Sequence, residues 1–323
     1  MTLAPYVRIL GRGPGRSRNL TLDEAQEAMA LILNGTAEPE AVGALLMLMR
    51  FRGETPDEIA GFVRAVTDTL PEWTGARPDL DWPSYAAGRT RGLPWFLLSA
   101  RVVARAGVRV LLHGWNSHQS DGASVRDALP HVGITSITDW REASATLDRD
   151  GIAYAPLEVI SPRVLDILRL RDVLGLRSCV NTVCRVMNPA GAARAVQGVF
   201  HPPYLTLQAE AGAVLGLRHL SVIKGGGGEF ERNPAKIGQV HGLRDGEPWQ
   251  DTLPELRDET RRLAETETPR DPAYLGAVWD GTHDDPFAVD IVLGTAALAL
   301  ETSGVALAGA GYDLAQQIWR DRH

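Results

Sequence analysis

The chain has little cysteine, little lysine and no long apolar run, and each shortage excludes something. Its two cysteines, Cys179 and Cys184, lie five positions apart without a second pair, so neither a disulfide framework nor a zinc site is supported. No apolar run reaches membrane-spanning length, and the N-terminus lacks the apolar core of a signal peptide. We therefore expect a cytoplasmic protein that does not enter a membrane.

The basic charge is almost entirely arginine, since Lys224 and Lys236 are the only lysines among 33 basic residues. We interpret this shortage of lysine as a compositional bias. The net charge of −7 argues against a general polyanion binder. The charge is uneven, however, because the last third is rich in Asp and Glu whereas arginines cluster near the N-terminus. These arginines, which allow a local basic patch, are Arg8, Arg12, Arg16 and Arg18.

Three short helices are predicted within the first 72 residues. Two of them begin with a capping box, in which Thr21 and Thr55 each precede a glutamate by three positions. The helix between them follows Pro39 and ends at Gly53. Amphipathic helices joined by short links predict a compact helical unit, which we assign to residues 1–72.

Helical and strand-like segments alternate after a Pro- and Gly-containing linker over residues 72–81. A helix is predicted over 93–106, and the predicted strands cover 108–113, 152–155, 196–200 and 220–223. Such alternation predicts an α/β domain, residues 73–323, with a central sheet flanked by helices.

Arginines also gather in the segment 151–191, around a helix that begins at Ser161-Pro162. Arg169, Arg171 and Arg177 lie in this helix or just after it. Arginines near one helix end can hold a carboxylate or phosphate. The residues alone favour the plainer alternative, a solvated face beside a helix C-terminus.

Two long motifs resemble the anthranilate phosphoribosyltransferases. Residues 20–66 follow the pattern LTxDEAxxAMxxILNGxAxPxxVGALLMxMRxRGETxxEIAGFVxA, and residues 155–189 follow APxxHP…VRxxLGxRTxFNxxGPLxNP, with Ser161 in place of the family's His. The resemblance implies a small helical domain joined to an α/β domain, with the helix over about 162–177 packed near the small domain. It further implies a homodimer formed through the small domain, and an aromatic-acid contact at Arg171.

The motifs that serve phosphoribosyl transfer in that family are altered here. Transfer needs backbone N–H groups around the leaving pyrophosphate and acidic residues that hold Mg²⁺. The family's GTGGD loop is replaced by PSYAAGR at residues 83–89, and its KHGNR motif by LHGWN at residues 112–116. Its Asp-Glu pair falls in the segment KGGGGEFE at residues 224–231, where Glu231 matches the Glu.

Candidate site residues follow from these matches. The candidate phosphate or ligand contacts are Gly88, Arg89, His113, Asn116, Arg171, Gly225, Gly226, Gly227 and Gly228. The structural alternatives are a satisfied histidine at a strand end and a flexible glycine loop. Mg²⁺, if the protein is an active transferase, would be held by Glu229 and Glu231; no catalytic residue is assigned.

Three functions remain open. The altered loop and the missing His resemble a sister group of anthranilate phosphoribosyltransferase-like proteins that lack the biosynthetic activity and are associated with nucleic-acid binding as homodimers. A nucleic-acid binder would use Arg8, Arg12, Arg16, Arg18, Arg89 and Arg91. The second hypothesis is a pentosyl- or phosphoribosyltransferase that takes a phosphorylated sugar and an altered acceptor, and the third is a small-molecule sensor. Net negative charge opposes the first hypothesis, and the altered motifs oppose the second.

Overall fold

The computed structural model describes residues 2–13, 15–85, 92–115, 124–258 and 270–322. Helices occupy the N-terminal part: α1 (Ala4–Gly11), α2 (Leu22–Leu33), α3 (Pro39–Arg52) and α4 (Pro56–Thr67). Both capping boxes are present, and the Oγ1 atoms of Thr21 and Thr55 accept the N–H groups three residues later. The predicted helical unit is confirmed, and α1 is an addition to it.

A single sheet forms the centre of the α/β part. Its strands are β1 (Leu80–Ser84), β2 (Val110–Gly114), β3 (Thr135–Ser136), β4 (Ile152–Pro156), β5 (Arg194–Val199), β6 (His219–Lys224), β7 (Gly238–Arg244) and β8 (Glu247–Leu253). Among the described residues the order is β3-β4-β2-β1-β5-β6-β7-β8. Strands β1 to β6 run parallel, and β7 and β8 are antiparallel additions at one side.

Helices cover both faces of this sheet, so the predicted α/β architecture is confirmed. They are α5 (Phe96–Arg105), α6 (Val125–Ala128), α7 (Ala143–Asp150), α8 (Leu157–Ile160), α9 (Pro162–Arg169), α10 (Arg171–Leu174), α11 (Val180–Val186), α12 (Pro203–Val214), α13 (Ala273–Trp279), α14 (Pro286–Thr302) and α15 (Gly311–Arg320). On one face, apolar side chains of α14 pack with those of α5 and α15. None of the helices in the described ranges is both long and apolar enough to cross a bilayer.

The helix predicted after Pro162 is interrupted, because α9 ends at Arg169 and α10 is a separate short turn. Helix α9 lies against the N-terminal helices. Its Arg163 Nη2 donates to the Ile32 carbonyl at 2.8 Å, and Val164 belongs to the same apolar core as α2 and α4. The domain boundary at residue 72 stays a prediction.

The parallel strands bring their carboxyl ends to one edge of the sheet. The register pairs Pro83 with His113 and Ser84 with Gly114, so the segments after β1 and β2 begin side by side. The segments after β4, β5 and β6 leave from the same edge. In open α/β sheets ligands bind at this edge, and the predicted residues Gly225 to Gly228, which directly follow β6, belong to it.

Candidate functional site

A buried chain of polar side chains connects the ends of β1 and β2. His113 Nε2 lies 3.2 Å from Asp81 Oδ1, and His113 Nδ1 lies 2.9 Å from the hydroxyl of Tyr85. All three side chains are buried, and burial raises the pKa of Tyr85 well above its usual value. Since both ring nitrogens face protein groups, the geometry favours the structural interpretation of His113. Its contact with phosphate stays a prediction.

The side chain of Arg185 lies beside the polar side chains of Asp81, His113 and Tyr85. Its Nη2 donates to the Tyr85 carbonyl at 3.2 Å and its Nη1 to the Asn181 carbonyl at 3.3 Å. Burial lowers the pKa of Arg185, and the carboxylate of Glu229 acts in the opposite direction. The sequence interpretation missed this residue. The sequence signal that could have identified it is that Arg185 stands where the family pattern given for residues 155–189 has the proline of GPL.

The segment that resembles the family's Asp-Glu pair is packed into the protein. Glu231 Oε2 accepts the N–H of Phe96 at 3.0 Å, in the first turn of α5. Phe230 is fully buried and meets Trp82 edge-on, with ring centroids 5.3 Å apart. Within the described ranges, no group of three His, Cys, Asp or Glu side chains could hold a metal. Binding of Mg²⁺ by Glu229 and Glu231 stays a prediction.

The four glycines before this segment form a tight turn. A Cβ on Gly225 would lie 1.8 Å from the Glu229 carbonyl oxygen, and Gly227 and Gly228 have φ values of 66° and 90°. The N–H of Gly226 donates to the Glu231 carbonyl at 3.0 Å, and that of Gly228 to the Gly225 carbonyl at 3.1 Å. Steric needs therefore account for Gly225, Gly227 and Gly228, and the contact of all four glycines with an anion stays a prediction.

A second group of arginines converges where α3 faces α11 and α12. We call this the arginine cleft; it is lined by Arg50, Arg177 and Arg185 and has a volume of about 70 Å³. Burial lowers the pKa of Arg177, and the positive charges of Arg171, Arg185 and Arg50 lower it further. Three neighbouring cations therefore act on Arg177, so positive charge is concentrated around the cleft.

Polar side chains complete the cleft. Arg50 Nη1 donates to the hydroxyl of Tyr204 at 3.2 Å, and that hydroxyl donates to Glu54 Oε2 at 3.1 Å. Burial raises the pKa of Glu54. The buried Oδ1 of Asn181 and Oε1 of Gln208 have no hydrogen-bond partner within the described part of the chain. The cations of the cleft can bind an anion, whereas the two amide oxygens are acceptors and could only meet a donor group of a ligand.

The N-terminal arginines are not equivalent. Arg8, Arg12 and Arg16 are exposed. Arg8 lies in α1, and Arg12, four residues later, caps the C-terminal end of that helix. Arg18 instead forms a two-pronged pair with Glu24, at 2.6 and 2.7 Å. Its charge is thus already balanced. Four other predicted contacts, Gly88, Arg89, Arg91 and Asn116, lie outside the described residues.

Comparison with known proteins places this architecture among the glycosyl transferases. A family model for the glycosyl transferase family, helical bundle domain, matches residues 4–69, and a model for the a/b domain of the same family matches residues 96–317. The chain belongs to this family, which agrees with the resemblance drawn from its motifs.

Relatives and solved structures agree with that membership. The anthranilate phosphoribosyltransferase of Geobacillus kaustophilus is 31% identical over 293 residues, which are 89% of this chain and 86% of that one. The enzyme of Methanosarcina acetivorans is 32% identical and covers 93% of this chain and 80% of its own. The Thermus thermophilus structure has a TM-score of 0.82 at 24% identity, covering 99% of this chain and 94% of that chain. The Saccharomyces cerevisiae enzyme in complex with PRPP and Mg has a TM-score of 0.76 at 15% identity, covering 99% and 93%. At these identities the two structures show the fold alone.

Proposed function

We propose that this protein binds nucleic acid through the phosphate backbone, without reading base sequence, and does not transfer a phosphoribosyl group to anthranilate. The observation that carries the proposal is the arginine cleft. Arginine forks match phosphate oxygens in two-pronged geometry. At about 70 Å³ the cleft suits one phosphate group better than a whole nucleotide. Contacts to phosphate position a strand but carry no sequence information.

The Mg²⁺ site implied by the family is a poor fit to the residues present. Either Glu229 or Phe230 stands at the family's Asp position, and Phe230 is an apolar ring packed on Trp82. Glu231 stands at the Glu position, and its Oε2 already accepts the N–H of Phe96 at the start of α5. Mg²⁺ requires near-octahedral oxygen ligands, and the aromatic ring of Phe230 supplies none. This pair therefore favours a binding role over metal-assisted transfer.

The proposal includes a homodimer. Phe51 on α3 is 90% exposed and Val173 on α10 is 83% exposed. The two helices are neighbours, because a Cβ on Gly43 would lie 3.7 Å from Leu174 Cδ2. Exposed apolar side chains on two neighbouring helices can form a protein interface. A two-fold dimer through this surface would present two copies of each arginine group to one nucleic acid.

Fluorescence anisotropy with duplexes of two unrelated sequences tests the binding. We expect equal affinity for both and a steep loss of affinity between about 50 and 200 mM salt. Replacing Arg50 and Arg177 together by Gln should weaken binding and reduce the salt slope by about 0.9 for each phosphate that is no longer neutralised. Replacing Arg8, Arg12 and Arg16 together by Ala should act in the same way.

Arg18→Ala is the matched control, since Glu24 already balances that guanidinium, and it should leave the slope nearly unchanged. The proposal fails if no complex forms at low salt below about tens of micromolar, because non-specific binding has Kd values of about 1–100 μM even at physiological salt. Light scattering checks the dimer: the wild-type chain should be dimeric and Phe51→Asp/Val173→Asp monomeric. A monomeric wild-type chain removes that part of the proposal.

The alternative is a transferase with an altered acceptor. It is favoured by the anthranilate phosphoribosyltransferase relatives, which are 31–32% identical to the chain, and by the presence of Arg171 at the family's aromatic-acid position. Calorimetry with phosphoribosyl pyrophosphate and Mg²⁺ separates the two functions. Micromolar binding with Mg²⁺-dependent turnover of an aromatic acid or base would establish the transferase instead.

A further inference from the structure

A cavity of about 440 Å³ lies between the start of α12 and the segment that joins β6 to β7. Its wall contains Lys224 and Lys236, which are the only two lysines of the chain. Nothing in the sequence connects them, since twelve positions and a glycine turn separate them. In the folded chain they share one concave surface, together with Arg232.

The two lysines are not balanced by acidic side chains, whereas the carboxylate of Glu301 acts on Arg232 from outside the cavity wall. The described residues that line the cavity include no Asp or Glu. Neither lysine forms an ion pair with a carboxylate of the described chain. Uncompensated like charges around a concave surface attract an anion.

Arg232 is the buried cation of this site, whereas the two lysines are exposed. It is only 8% exposed, and its Nε has no hydrogen-bond partner among the described residues. Its Nη2 donates to the Pro254 carbonyl, and its backbone N–H donates to Thr295 Oγ1 at 2.9 Å. The guanidinium is therefore anchored by the fold while one donor remains unused, and a buried unused donor on a cation is costly unless a ligand satisfies it.

The rest of the wall is apolar. Ile237 is 67% exposed, and Leu205 and Leu253 also line the cavity. Isolated exposed Ile residues need no explanation, but here the side chain adjoins a pocket of the size that holds small ligands, about 300–1,000 Å³. A ligand for this cavity would thus carry an anionic group for the cations and a ring or apolar body for this wall.

We propose that this cavity binds a small phosphate monoester of nucleotide size, with its phosphate on Lys224, Lys236 and Arg232. Lysine binds phosphate as a point charge, and the side-chain amides of Asn233 and Gln239 in the same wall can orient a polar ring. The proposal is separate from the arginine cleft, because none of the residues that line the two cavities is shared.

Isothermal titration of the full chain with AMP, adenosine and inorganic phosphate tests this site. We expect AMP to bind, inorganic phosphate to compete with it, and adenosine to bind at least tenfold more weakly, since hydrogen bonds to charged groups are the strong ones. Lys224→Gln/Lys236→Gln should weaken AMP binding by about tenfold or more. Both lysines are exposed, so the variant should fold, which circular dichroism verifies.

Arg141→Gln/Arg320→Gln is the matched control, because it removes the same charge from exposed arginines elsewhere. Its AMP affinity should equal that of the wild type. The proposal is overturned if AMP does not bind at about 1 mM, if adenosine binds as well as AMP, or if the lysine variant binds AMP normally. It is also overturned if the lysine variant loses only duplex affinity, since the lysines would then belong to the nucleic-acid surface. Conversely, loss of duplex binding in the arginine variants leaves this proposal intact.

Discussion

Two helical glycines should respond to alanine in opposite directions. Gly43 lies within α3 and Gly61 within α4, so helix propensity favours alanine at both by about 1 kcal/mol. A Cβ at Gly43 would meet only Leu174 Cδ2, at 3.7 Å. A Cβ at Gly61 would lie 2.4 Å from the Leu22 carbonyl oxygen and 2.7 Å from the Ala25 Cβ.

The expected magnitudes follow from these distances. Carbon atoms pack at about 3.5–4.0 Å, so Gly61→Ala must push α2 and α4 apart by roughly 1 Å. Neither obstructing atom belongs to a flexible side chain, which places the overpacking cost near the upper end of the usual range, about 3 kcal/mol. Subtracting the propensity gain leaves a net loss of about 2 kcal/mol. Gly43→Ala should instead gain about 0.5–1 kcal/mol.

Urea unfolding followed by circular dichroism measures both variants beside the wild type. Gly43→Ala is the internal control, because it tests the propensity gain without the steric cost. The reasoning is refuted if Gly61→Ala is as stable as Gly43→Ala, since α2 and α4 would then cross with room for a methyl group. A loss of stability in both variants would refute the propensity gain instead.

Three further predictions concern buried or paired groups. Arg185→Met should lower the free energy of unfolding by about 3 kcal/mol, because two carbonyls and a carboxylate lose their cation; adding Glu229→Gln should recover part of it, and strictly additive effects would contradict the pairing. The hydrogen bond from Arg18 lowers the pKa of Glu24 from its usual 4.5 to about 2. A carboxyl group whose pKa is depressed in the folded state stabilises that state at pH values above its unfolded-state pKa. The difference in free energy of unfolding between wild type and Arg18→Ala should therefore shrink as the pH drops from about 4.5 to about 2. A difference that stays constant with pH in urea titrations would argue against this prediction. Both cysteines are fully buried, and burial raises the pKa of Cys184 to about 12, so a disulfide reagent should label no thiol in the native chain and two after denaturation.

Local sequence signals predict the helical unit correctly. The capping boxes at Thr21 and Thr55 join residues three positions apart, and both form as expected. The family membership can also be predicted, because its motifs are continuous stretches. The interruption of the helix after Pro162 cannot, since it is a matter of packing: α9 buries Val164, Ile167 and Leu168 in the core shared with the N-terminal helices, whereas α10 buries no residue.

The site is less accessible from the sequence. A strand end is predicted at His113, but the contacts of this side chain with Asp81 and Tyr85 depend on the register of β1 and β2. The position of Arg185 cannot be predicted, because nothing adjacent to it in sequence shows that it reaches the Tyr85 carbonyl. Its partner lies 100 residues away.

The sequence by itself determined the helix starts, the alternation of helices and strands, and the family. Each of these depends on hydrogen bonds and periodicities among near neighbours in the chain. Only the tertiary structure decided that Arg50 meets Arg177, that Phe230 packs on Trp82, and that the two lysines share one cavity. The first depends on how α3 packs against the α/β part, and the other two depend on the order and register of the strands. No short stretch of sequence encodes that packing, the strand order or the register.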